Sequence, residues 1–182
     1  MPMDRAEVDA KLSFAERRMR ELLDLNGGDV AGADPDDRDR QTAEFFSHLV
    51  SATDVLARYV NKASKLGLPT GNVSVAAVRN SLAAGNTAAA ALGGLYVNTR
   101  KQPYPADPYV DDALIYRILL YRHHTTHRRR APFQIQIGER TVHLHLDPED
   151  PAKGPSDDPI EVELPRMLEL VRGRCHKVLA LL

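Results

Sequence analysis

The stretch that most constrains what this chain can fold into is Ile115–Arg130, IYRILLYRHHTTHRRR. Its first half reads as an apolar helix. Its second half gathers His123, His124 and His127 with Arg122, Arg128, Arg129 and Arg130, and no acidic residue falls between Asp112 and Glu139. A segment apolar at one end and cationic at the other fits a helix that crosses a core and surfaces at an anion-binding cleft. The helix is expected from about Pro108 to Thr126. Asp107 offers a capping carboxylate, Pro108 suits the first helical position, and Leu114, Ile118 and Tyr121 point inward. The β-branched pair Thr125-Thr126 is where it is expected to loosen.

Helical spacing dominates the chain before this stretch. Asp4 and Glu7 form a capping box, and Val8, Leu12, Ala15, Met19 and Leu22 follow at helical intervals until Gly27-Gly28. A stronger stripe, Phe45, Leu49, Ala52, Leu56, Tyr59 and Ala63, predicts a helix over about 41–66. The acidic run Gly32–Arg40 before it is either a loop or the start of that helix. Asn72 or Ser74 opens a third, shorter helix, and the Ala- and Gly-rich segment 86–97 suits a closely packed or partly irregular one.

After Thr126 the period changes to two. Phe133, Ile135 and Ile137 alternate with Gln134 and Gln136, and Val142, Leu144 and Leu146 alternate with His143 and His145. Gly138-Glu139 supplies the turn of a hairpin. His143 and His145 read as polar residues alternating outward. An Asp- and Pro-rich loop (147–159) leads to Ile160–Leu164, expected as a third short strand, and Pro165 then opens a last helix to Leu182. The fold class expected is mainly α: one domain over 1–182, a helical bundle with a late β-hairpin or small antiparallel sheet inserted at about 132–164 and a C-terminal helix.

With a formal net charge of −1, the chain has no global basic field, so any nucleic-acid partner must be met by a local patch. Aromatic residues make up 5% of the chain, which excludes broad base stacking and leaves Tyr121 and Phe133 as the stackers nearest the basic patch. A lone Cys175 excludes an intramolecular disulfide and a Cys-based zinc motif. No signal-like or membrane-length apolar run is present, so a soluble, cytoplasmic protein is expected.

Arg122 and His127 stand in an Arg-x4-His arrangement near the end of a long helix, with the polar His123 directly after the arginine. This resembles the signature of the HEPN superfamily (higher eukaryote and prokaryote nucleotide-binding domains), over about Gln41–Arg130. The resemblance implies a small helical bundle that dimerises so that two motifs meet in a cleft, with a hairpin after the motif. It also implies a metal-independent endoribonuclease that needs no cofactor, working as a toxin or antiviral-defence effector with RNA as substrate and a cognate antitoxin or other partner protein.

The residue types suit that chemistry. Attack of the RNA 2′-hydroxyl on its own phosphate needs a proton acceptor and a cation where charge builds. An imidazole suits the first role, so His127 is the candidate base, with Arg122, Arg128 and Arg129 favouring its neutral form. Arg122 suits the second, gripping the phosphate in two-pronged fashion. His123 or His124 would protonate the leaving oxygen or position the phosphate, and Arg117, Arg128, Arg129 and Arg130 would hold the RNA backbone. Five positions, however, leave Arg122 and His127 roughly 140° apart on an ideal helix. They share a site only if the helix end is distorted or a second protomer supplies one of them.

Three other readings stay open. In one, the arginines simply complement the dipole at a solvated helix end. In another, the basic end belongs to a catalytically silent HEPN-like module that binds a nucleotide, RNA or a partner protein. A small His-metal enzyme would use His123 and His127, four apart, with His143 and His145, although the flanking arginines repel a divalent ion and no metal is expected. An acidic loop could also mask the basic cleft.

Overall fold

The computed structural model describes residues 5–27, 34–127, 130–136 and 141–182. The expected cap at Asp4, the stop at Gly28 and the turn at Gly138-Glu139 lie outside these residues. Within them the chain is mainly helical, with a two-stranded antiparallel sheet and a C-terminal helix.

Helix α1 (Arg5–Gly27) packs along α2 (Pro35–Ala63), which also meets the later helices and is the hub of the bundle. From Asp34 onward, the acidic run proves to be the cap and start of α2. The Asp34 carboxylate accepts the Asp36 amide at 3.0 Å, Pro35 occupies the first turn, and Asp36 and Asp37 face the positive end of the helix dipole. Phe45, Phe46, Leu49, Val55, Leu56 and Val60 are all buried along it, each large side chain contributing about 1.5–3 kcal/mol on leaving water. The helix stops at Ser64, where Lys65 (φ 52°) and Gly67 (φ 70°) turn left-handed. The Asn61 side chain then ties down the returning chain by bonding both the amide and the carbonyl of Leu68, each at 3.1 Å.

Two short helices follow, α3 (Val75–Ser81), capped by Ser74, and α4 (Thr87–Gly93), capped by Asn86. Helix α5 (Asp111–Thr126) begins three residues later than the sequence indicates. The Asp107 carboxylate accepts the Tyr109 amide at 2.9 Å and so closes a local turn instead of capping the helix. Residues 113–118 are buried without interruption, so this part of α5 is covered on every side, with α2 and α6 among the helix's neighbours.

Strands β1 (Phe133–Gln136) and β2 (Thr141–Leu144) pair with Phe133 opposite Leu144 and Ile135 opposite Val142. Val142 and Leu144 are buried, and β2 contacts α6. His143, expected to point outward, is buried as well. The loop after β2 folds back, with the Ser156 amide donating to the Leu144 carbonyl at 2.7 Å, and covers the other face.

The expected third strand is the start of helix α6 (Ile160–Leu179). Ile160, Val162 and Leu164 alternate on paper, yet Val162 is 50% exposed while Ile160 and Leu164 are sealed. Ile160, Leu164, Leu168, Val171, Cys175 and Val178 instead line one buried helical face, and Glu161 and Glu163 suit the first turn. Pro165 therefore lies inside α6, where it forgoes one amide bond to the carbonyl four residues back.

Candidate cationic cleft at the end of α5

The last turn of α5 remains regular. The Thr126 hydroxyl donates to the Arg122 carbonyl at 2.6 Å and the Thr125 hydroxyl to the Tyr121 carbonyl at 2.9 Å. These hydroxyls bond back to carbonyls one turn earlier, as threonine does within a regular helix, and the helix runs through the threonine pair to a C-cap at His127. Because the turn is undistorted, one face of the helix cannot present both Arg122 and His127.

What the turn does present is Arg122 and His123 together. Both are exposed and line a cleft of about 600 Å³. Its floor is apolar, made by Val50 of α2 with Leu119 and Leu120 of α5, and the loop from Tyr96 to Lys101 and the acidic Glu149 line it as well. His127 is exposed beside this cleft and meets His123 edge to face, with ring centroids 4.5 Å apart. Behind Arg122 stands a carboxyl on α2: burial pushes Asp54 above the usual carboxylate range, and the positive charges of Arg122 and then Arg58 oppose that rise.

Other residues singled out in the sequence take structural places. Arg117 is 0% exposed and donates to Glu163 of α6, whose carboxylate also accepts from the Ser156 hydroxyl at 3.1 Å. A guanidinium enclosed in the core is not placed to hold an RNA backbone, so that assignment is withdrawn. His124 is buried too, with Nε2 3.0 Å from the Arg130 carbonyl. It pins the chain where it leaves the helix and does not reach toward a ligand. Tyr121 is buried against the Phe46 ring, 4.9 Å between centroids, and Phe133 is half-buried beside Arg38, so neither is open for stacking on a base.

Arg130 is 72% exposed but bonded to Asp36 at 2.8 Å, with Asp39 at 3.5 Å. A run free of acid along the chain is therefore not free of acid in space: the start of α2 screens this end of it. Arg128 and Arg129 lie outside the described residues. His143 places Nδ1 2.9 Å from the Ser156 carbonyl and Nε2 3.1 Å from the Thr141 hydroxyl, which fits a ring protonated at Nδ1 and leaves neither nitrogen for a metal. Among the described residues no group of three or more His, Cys, Asp and Glu side chains is arranged to hold a metal ion.

Sequence reasoning missed Arg100 and Lys101, which the fold brings to the cleft that Arg122 lines. Their only local signal is that they are adjacent cations in a loop. The link to α5 is the Tyr116 hydroxyl, which donates to the Thr99 carbonyl at 2.9 Å.

No helix among the described residues is long and apolar enough to cross a membrane. No family model, curated protein or solved structure matches this chain.

Proposed function

We propose that the cleft at the end of α5 binds RNA and cuts it through the RNA's own 2′-hydroxyl, as the HEPN resemblance implies. The observation that carries this reading is the cleft itself: Arg122, His123, Arg100 and Lys101 all line it, and a second imidazole, His127, abuts His123. Arg122 grips the phosphate and stabilises the charge that builds on it. His127 accepts the 2′-hydroxyl proton as the O2′–P bond forms. A histidine such as His123 returns a proton to the 5′-oxygen as the P–O5′ bond breaks. The products are a 2′,3′-cyclic phosphate and a 5′-hydroxyl end, and DNA, lacking the nucleophile, is spared.

In-line displacement places the proton acceptor and donor on opposite sides of phosphorus. Two rings 4.5 Å apart sit on one side. The reading therefore includes a homodimer in which the facing copy of α5 supplies the second imidazole, in the setting of a toxin or defence effector held in check by a partner protein.

A silent binding module is the second reading, favoured by the position of His127 outside the residues that line the cleft. Purified protein incubated with mixed-sequence RNA, with and without chelator, separates the two. The nuclease predicts cleavage that survives chelator and falls by about 10²–10⁴-fold in His127→Ala and His123→Ala, the usual worth of a general acid or base, and is lost also in Arg122→Ala. RNA that stays intact but bound identifies the silent module. Cleavage abolished by chelator identifies a metal enzyme.

A further inference from the structure

The loop Asn98–Gln102 is built more tightly than a connection needs to be. The Asn98 carbonyl accepts the amides of both Lys101 (3.0 Å) and Gln102 (2.9 Å), and the Gln102 side chain accepts the Asn98 amide at 2.9 Å. The Asn98 side chain accepts the Arg100 amide at 3.3 Å. From below, the Tyr116 hydroxyl donates to the Thr99 carbonyl at 2.9 Å, with the Gln102 carbonyl 3.3 Å away. These bonds hold two exposed cations, Arg100 and Lys101, in the lining of the cleft that Arg122 also lines. The same cleft is lined by the apolar floor of Val50, Leu119 and Leu120, by Tyr96, and by one carboxylate, Glu149.

Three cations from two separate segments, outnumbering the one carboxylate and set beside an apolar floor, match a nucleotide unit, with negative phosphates at its ends and a flat, largely apolar base between. A cleft of about 600 Å³ lies within the size range of small-molecule sites. We propose that Arg100 and Lys101 form a second phosphate subsite, so that the cleft takes one unpaired nucleotide of a single-stranded RNA. Its base lies on the Val50–Leu119–Leu120 floor, one flanking phosphate meets Arg122, and the next meets Arg100 and Lys101. A base held in a duplex cannot reach the floor, so the substrate class is single-stranded. This rests on reading the cleft as an RNA site.

The test is binding of a labelled single-stranded RNA of mixed sequence, 2′-O-methylated so that it cannot be cut, followed by fluorescence anisotropy across a range of salt concentrations. Each phosphate contact on a single strand contributes about 0.7 to the slope of log affinity against log salt, so Arg100→Ala/Lys101→Ala, which empties one phosphate subsite, should flatten the slope by about 0.7 and weaken binding. Lys62→Ala/Lys177→Ala, removing two exposed cations elsewhere, should leave the slope as in the unaltered protein. The same strand annealed to its complement should bind more weakly. An unchanged slope in Arg100→Ala/Lys101→Ala, or equal binding of the duplex, overturns the subsite. If Arg122→Ala loses binding while the loop variant matches the unaltered protein, only the subsite falls. If the unaltered protein binds no RNA, the subsite falls together with the reading it rests on.

Discussion

Replacing Glu163 by Gln tests how the core holds α5 in place. Arg117 is completely buried, Glu163 nearly so, and one guanidinium nitrogen donates to one carboxylate oxygen. Gln keeps the approximate shape and removes the charge, leaving a buried cation without its counterion. Such breakage of a buried pair costs roughly 3–5 kcal/mol. Against a total stability of about 5–15 kcal/mol that is a large fraction. For a chain of this length each kcal/mol moves the melting midpoint by about 2–4 °C, so a fall of about 6–20 °C is expected by circular dichroism.

The pair is not well satisfied in other respects. Nε and Nη1 of Arg117 and Oε2 of Glu163 are buried with no hydrogen-bond partner, and burial pulls the arginine below its ordinary basicity. The double replacement Arg117→Met/Glu163→Leu removes both charges and all three unpaired atoms, and should melt near or above the unaltered protein. A double-mutant cycle with Arg117→Met gives the coupling directly. If Glu163→Gln melts within about 1 °C of the unaltered protein, or if the double replacement is as unstable as the single ones, the reasoning from a desolvated pair is refuted.

Three further outcomes are expected. Tyr116→Phe, which frees the carbonyls of Thr99 and Gln102 without changing charge, should weaken RNA binding while leaving its salt slope unaltered in the anisotropy assay; a changed slope would contradict the loop's role as a support. Burial pushes the Cys175 thiol up to about 12, so the reactive thiolate is scarce near neutrality; alkylation by iodoacetamide, followed by mass spectrometry across a urea series, should track unfolding, and rapid labelling of the native protein would contradict it. For Asp54 the folded carboxyl is raised above its unfolded value, so its contribution favours folding most in acid and declines as pH rises through the folded value. Asp54→Asn should remove that decline, and melting curves from acidic to neutral pH with equal slopes in both proteins would refute it.

Much of the helical architecture was legible because it rests on local chemistry. The apolar stripe on α2 and its end close to residue 66 follow from spacing and backbone preference within a few residues. The failures share one cause: two local signals competed and packing chose between them. Ile160–Leu164 alternates as a strand would, yet its glutamates suit a helix start, and the buried face of α6 decided the matter by carrying the helix back through Pro165. Asp107 could cap a helix or close a turn, and it closed the turn.

The sequence by itself determined that α5 would be apolar at its start and rich in imidazole and guanidinium at its end, since composition at a helix terminus is a property of the chain. Only the tertiary structure decided which of those groups reach solvent. A helix distributes successive residues around its axis, so Arg117 and His124 turned into the core while Arg122 and His123 turned outward. Folding then placed Asp54 near Arg122 and brought Arg100 and Lys101 to the same cleft. The charge around a phosphate is a sum over neighbours in space, and most of those neighbours are remote along the chain.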